Sequence, residues 1–343
     1  MSNEESITQQ IGEEPTTGMY MIVCAKLGLS MCVYFLCRLL ISLVNIPLSK
    51  IYTVLSEPVF AILNLTVLTT FVYIIPIIFT VLIFKYKVPL SILYKRPKRL
   101  ARAFGTFPAT FGFGYGIALL TLLISYILSK MLGGETLIEQ LLKPTTIEST
   151  SNMSQVIMMV ILMVVAAPLF EEYLVRGVMF DVLKPYGTGM AIIISSVLFG
   201  LMHGSLYMLF YTTAYGLALG YIRYATGSLF IVTILHAIVN AVAATTLLLM
   251  SLVEITERQN KVLNTIYEIY TVAIFILIII SVIVFITKIP AIRRYKFENP
   301  WTGTGPWKKL GIFFISIPVI IMMLLAVNEI SEHRILNLIT NLF

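Results

Sequence analysis

Nine apolar runs divide the chain, at 19–44, 58–84, 103–129, 154–180, 189–203, 205–222, 228–251, 266–287 and 310–327. A helix needs about 20 apolar residues to cross a bilayer, and most of the runs reach that length. The fifth is short and the seventh contains a histidine, so the pattern predicts eight or nine spans. Long apolar runs argue against strands, and a helix satisfies its own backbone in lipid. The expected fold is therefore all-α, a polytopic transmembrane helix bundle. The first eighteen residues are polar and acidic and hold no Lys or Arg. They lack the basic start of a cleavable signal peptide and read as a polar tail. The pattern divides into this tail (1–18), N-terminal transmembrane helices (19–150), a central core (151–252), and C-terminal helices with a tail (253–343). No internal repeat is visible, which argues against a secondary transporter built on inverted repeats.

Composition agrees with the membrane reading. Hydrophobic residues make up 58% of the 343 and charged residues 12%, against about 25% charged in soluble domains. Lys and Arg concentrate in two loops. Lys85, Lys87, Lys95, Arg96, Lys98, Arg99 and Arg102 follow the second run; Lys288, Arg293, Arg294, Lys296, Lys308 and Lys309 follow the eighth. Connections on the other side hold only Lys50, Lys130, Lys143, Arg258 and Lys261. That bias puts the two basic loops, and with them the N-terminus, in the cytoplasm. Anionic lipid headgroups account for the net charge of +7, so membrane lipids are expected partners and nucleic acid is not. Cys24, Cys32 and Cys37 fall in the first run at a spacing that matches no metal motif and read as small apolar helix residues.

Candidate chemistry comes from the few polar residues inside the runs, because ionisable groups at bilayer depth are costly. The fourth run reads MMVILMVVAAPLFEEYLVRGVMF and holds Glu171, Glu172 and Arg176. Glu172 and Arg176 are i,i+4 neighbours and can pair, while Glu171 points about 100° away. One glutamate can be structural while its neighbour faces a cavity. The fifth run ends FGLMHG, with Phe199 and His203 on one face and Gly200 and Gly204 permitting close approach. The seventh holds His236 and Asn240, again i,i+4, able to donate to one shared oxygen. The remaining histidine, His333, reads as a surface residue. Each feature alone also fits helix-to-helix packing; together they place polar groups from helices 4, 5 and 7 in one bundle, where a site is expected.

E-E-x-x-x-R, F-x-x-x-H and H-x-x-x-N, in this order on successive membrane helices, resemble the CPBP family of intramembrane endopeptidases. The family includes type II CAAX prenyl proteases and the Abi proteins linked to bacteriocin processing and immunity. The likeness covers roughly residues 160–245 and extends to APLFEEYLVRGVMF, SSVLFGLMHG and the GSL before the last motif. Many members carry an aromatic residue before the arginine, where Val175 stands here. The resemblance implies a peptide hydrolase of the cell membrane acting on a membrane-associated peptide or protein. For a bacterial source it implies peptide maturation, signalling or bacteriocin immunity rather than CAAX removal. It makes Glu171 the general base, with His203 holding the water. His236 and Asn240 would donate to the oxyanion, and Glu172, Arg176 and Phe199 would support the site.

The resemblance implies a mechanism that needs no cofactor. A zinc alternative would use Glu171, His203 and His236, although H-E-x-x-H is absent. A different alternative is a non-catalytic immunity or scaffold protein using the same polar core structurally. One expectation fits poorly. At 1.5 Å per residue, Glu171 lies ~13 Å from the end of its run at 180, His236 ~12 Å from residue 228 and His203 ~21 Å from residue 189. The fifth helix must then start later, tilt strongly, or break near Gly200 for these groups to meet.

Overall fold

A computed structural model describes residues 15–51, 55–86, 100–132, 152–256, 259–293, 297, 301 and 303–330. Most of the first basic loop, Lys143, Arg258, Arg294, Lys296 and His333 lie outside the described residues, as does most of the acidic tail. The described residues form helices and no strand. They are α1 (Thr17–Ile51), α2 (Glu57–Phe84), α3 (Leu100–Leu132), α4 (Met153–Tyr186) and α5 (Thr188–Leu201), then α6 (Leu206–Thr226), α7 (Leu229–Ile255), α8 (Lys261–Arg293), α9 (Pro306–Ile315) and α10 (Ile317–Ile330).

Every expected apolar run falls on a helix. Among the described residues, six helices are long and apolar enough to cross a membrane, or seven with the bent pair α9–α10 counted as one span. The last expected run is thus two helices, bent by 71°. The bend falls at Ser316, which is extended with ψ 125°; Pro318, in the first turn of α10, has no N–H to offer the carbonyl of Phe314 and so cannot continue α9. α5 is apolar but has only 14 residues.

Local sequence explains the breaks around the centre of the fold. Gly227, at φ +65°, ends α6. Ser228 then caps α7, its hydroxyl accepting from the N–H of Ile231. Asn152 caps α4 in the same manner through Gln155. α5 and α6 pack as a hairpin, α6 lies on α3, α3 on α8, and α10 on α1. The shared core joins α1, α4, α5, α6, α7 and α10 around Tyr34, Val175, Leu198, Phe199 and Met322. Most large side chains of α8 are exposed, including Ile269, Phe275, Ile283 and Ile286, as suits a helix facing acyl chains.

Neither α2 nor α4 is regular throughout. Each widens into a π-turn just before a proline: Thr70–Ile74 ahead of Pro76, and Leu162–Ala166 ahead of Pro168. A proline cannot donate to the preceding turn, and π-turns often coincide with functional positions. A third π-turn, Tyr173–Met179, follows the glutamate pair.

Candidate active site

Glu172 and Arg176 are completely buried and bonded at 2.8 Å across one turn of α4. Arg176 also donates to the carbonyl of Gly216 on α6 at 3.1 Å, and its guanidinium lies 4.3 Å from the Phe199 ring centre. The same Glu172 oxygen, Oε1, accepts from Nδ1 of His236 at 2.8 Å. A carboxylate oxygen can only accept here, so Nδ1 of His236 carries a proton. Glu172 therefore fixes the ring of a histidine on α7 while Arg176 neutralises it. A buried charge pair of this kind holds together only with good geometry and further hydrogen bonds; Gly216 and His236 supply such bonds, while Glu172 Oε2 and Arg176 Nε are buried without a partner.

Glu171, its neighbour in sequence, has a different environment. Its side chain keeps 12% exposure while Glu172 has none, so Glu171 is the glutamate that another molecule can reach. One oxygen accepts from the hydroxyl of Tyr73 at 3.0 Å. The other lies 3.8 Å from Nε2 of His236, so His236 stands between the two carboxylates. Tyr73 sits within the first π-turn of α2, and its ring stacks on Phe170 with centres 5.5 Å apart.

His203 lies past the end of α5, in the turn before α6. Its Nδ1 is 2.9 Å from the carbonyl of Phe199; a carbonyl accepts, so the proton is on Nδ1 and Nε2 keeps its lone pair. Both histidine rings stand edge-on to Phe199, at 4.9 Å for His203 and 5.6 Å for His236. Phe199 thus supports Arg176 and both histidines at once. The depth mismatch expected from sequence has a simple origin. α4 continues to Tyr186 instead of ending near 180, and α5 begins at Thr188. Glu171 and His203 are then each fifteen residues from the α4–α5 turn, about 22 Å at 1.5 Å per residue.

Asn240 has a partner that the sequence alone does not suggest. Its amide donates to the carbonyl of Met163 at 2.8 Å. The π-turn directs the N–H of Ala167 to Leu162, and Pro168 has none to offer. Met163 is left with a free carbonyl in a part-buried stretch of a membrane-spanning helix, which would be costly unpaired, and Asn240 satisfies it. An amide has two N–H groups, so one donor of Asn240 remains for other use.

Among the described residues no group of three His, Cys, Asp or Glu side chains is placed to hold a metal ion. The structure thus gathers Glu171, Glu172, Arg176, Phe199 and His236 into one connected set, seats His203 on Phe199, and ties Asn240 to Met163, earlier on the same helix α4. Sequence reasoning missed Tyr73. Its signal was a hydroxyl in the apolar FVYIIP, three residues before a proline that disturbs the helix.

Residues 153–242 match the family model described as type II CAAX prenyl endopeptidase Rce1-like. The match begins with α4 and ends within α7, and it contains every side chain of the site except Tyr73. The matched family is one of CAAX-type intramembrane proteases, a class of peptide hydrolases, and the match spans about a quarter of this chain. No curated protein and no solved structure matches the chain.

Proposed function

We propose that the protein is a glutamate-dependent intramembrane endopeptidase that cleaves a peptide bond in a membrane-associated peptide or protein. The observation that carries this reading is the unequal treatment of two adjacent carboxylates: Glu172 is spent on Arg176 and His236, while Glu171 stays accessible beside them. A purely structural charge pair has no need of the second glutamate.

In this reading Glu171 takes a proton from a water held between its carboxylate and Nε2 of His203. The resulting hydroxide attacks the peptide carbonyl carbon, and the carbonyl oxygen takes up the negative charge. His236, its Nδ1 proton held by Glu172, donates to that oxygen from Nε2 when a second proton is on the ring. The second N–H of Asn240 is the other donor. Glu171 then passes its proton to the departing amine as the C–N bond breaks. Water is consumed, and an acid and an amine leave. Positioned general bases contribute about 10²–10⁴ in rate, and one oxyanion donor about 10²–10³.

The scheme requires no metal. The prenylated C-terminal chain named by the family is one candidate substrate; signalling or bacteriocin-type peptides are others of the same membrane-bound kind. The basic loops and the N-terminus lie on the cytoplasmic side, from which the substrate approaches. The test compares wild type, Glu171→Gln and His203→Ala, purified in lipid nanodiscs, on prenylated and unprenylated fluorogenic peptides, with and without a chelator. Cleavage should fall at least 100-fold in Glu171→Gln and be unaffected by chelation. Equal cleavage by all three proteins refutes the assignment.

A further inference from the structure

The His203 turn is held by residues far outside the segment that matches the family. The carbonyls at the end of α5 can be accounted for one by one. Leu198 accepts from the N–H of Met202, Gly200 from His203 and Leu201 from Gly204, while Phe199 accepts from the His203 ring. The carbonyl of Met202 is served from another helix: the hydroxyl of Tyr34 donates to it at 2.9 Å and Nη1 of Arg38 at 3.0 Å, both from α1. Arg38 is in turn locked by Glu329 of α10, through Nε at 2.8 Å and Nη2 at 2.7 Å. Gly204 closes the turn at φ +64°, where a side chain would be strained; a Cβ there would also stand 2.8 Å from the Glu329 side chain.

We infer that Arg38 is a positioning residue of the active site: held by Glu329, it fixes the Met202 carbonyl and thereby the backbone that sets the His203 ring. The assignment deepens the hydrolase reading and rests on it for its catalytic meaning. The guanidinium is suited to the task because its planar fork serves two acceptors at once. One edge meets the Glu329 carboxylate while Nη1 faces the carbonyl. An ion pair that merely joined α1 to α10 would work equally well with its charges exchanged. A positioning residue would not, since glutamate at 38 cannot donate to a carbonyl.

That difference gives the experiment. The full chain contains three histidines, so ¹⁵N-histidine labelling in nanodiscs resolves each ring, with His203 assigned by the signal lost in His203→Gln. The wild-type ring should show one protonated nitrogen, Nδ1, and one bare nitrogen. In the exchange variant Arg38→Glu/Glu329→Arg, thermal stability should be retained while His203 loses this single-tautomer pattern. A second variant, Arg38→Met/Glu329→Met, replaces the pair with apolar side chains, a change proteins often tolerate, and should show the same loss. In both, kcat on a cleaved peptide should fall with KM unchanged. A wild-type His203 pattern in either folded variant overturns the inference. The nitrogen signals report on His203 whether or not the protein cleaves a peptide, so failure here is distinct from failure of the Glu171→Gln test.

Discussion

Replacing Arg176 by Met separates what the buried pair does for folding from what it does for the site. The substitution removes the 2.8 Å bond to Glu172, the 3.1 Å bond to the Gly216 carbonyl and the cation over Phe199. Glu172 is then a buried carboxylate without its counter-charge, because no part of its side chain reaches solvent. Breaking a buried pair from one side costs about 3–5 kcal/mol, so Arg176→Met should be less stable by that amount in reversible unfolding from mixed micelles. The paired variant Glu172→Met/Arg176→Met removes both charges and should recover most of the stability. It should not recover hydrolysis. With Glu172 gone, Nδ1 of His236 has lost the acceptor that fixes its ring, and the rate should stay down by about 10²–10³, as for a lost oxyanion donor. A single variant within about 1 kcal/mol of wild type would contradict the burial argument. A paired variant with wild-type rate would contradict the role given to Glu172.

Gly216→Ala should lower both stability and rate, because a Cβ there would stand 3.0 Å from Nη2 of Arg176 and 3.1 Å from Ser196; parallel melting and peptide-cleavage measurements check it. Asn240→Leu should destabilise by about 1–3 kcal/mol by leaving the Met163 carbonyl unpaired. Combining it with Pro168→Ala, which restores an N–H to that turn, should recover part of the loss in the same unfolding assay.

The helices and the central polar set were legible because they rest on short-range periodicity. Glu172 with Arg176 and Phe199 with His203 are four residues apart, and the structure puts each pair in contact. The separation of Glu171 from Glu172 followed from the same 100° step. What could not be read were partners fixed by packing. His236 meets Glu172 across 64 residues, and no spacing rule says which glutamate it takes. Asn240 finds Met163 only because a π-turn and a proline together strip that carbonyl of its donor. Tyr73 looked like one more aromatic residue in an apolar run. The depth mismatch arose from placing the end of α4 at a drop in hydrophobicity, whereas the helix continues through Asp181 because Tyr86 and Arg223 both bond that carboxylate.

The Arg38–Glu329 pair also has a consequence in time. It joins positions 291 residues apart, so it cannot form until α10 has left the ribosome. α4 to α7 can insert and pack beforehand, with Glu171 and His236 already adjacent. The turn bearing His203 then waits for α10 to reach α1. A nascent chain would thus carry an unfinished site through the insertion of α4 to α7, in a membrane full of other newly made peptides, and complete it only when α10 arrives.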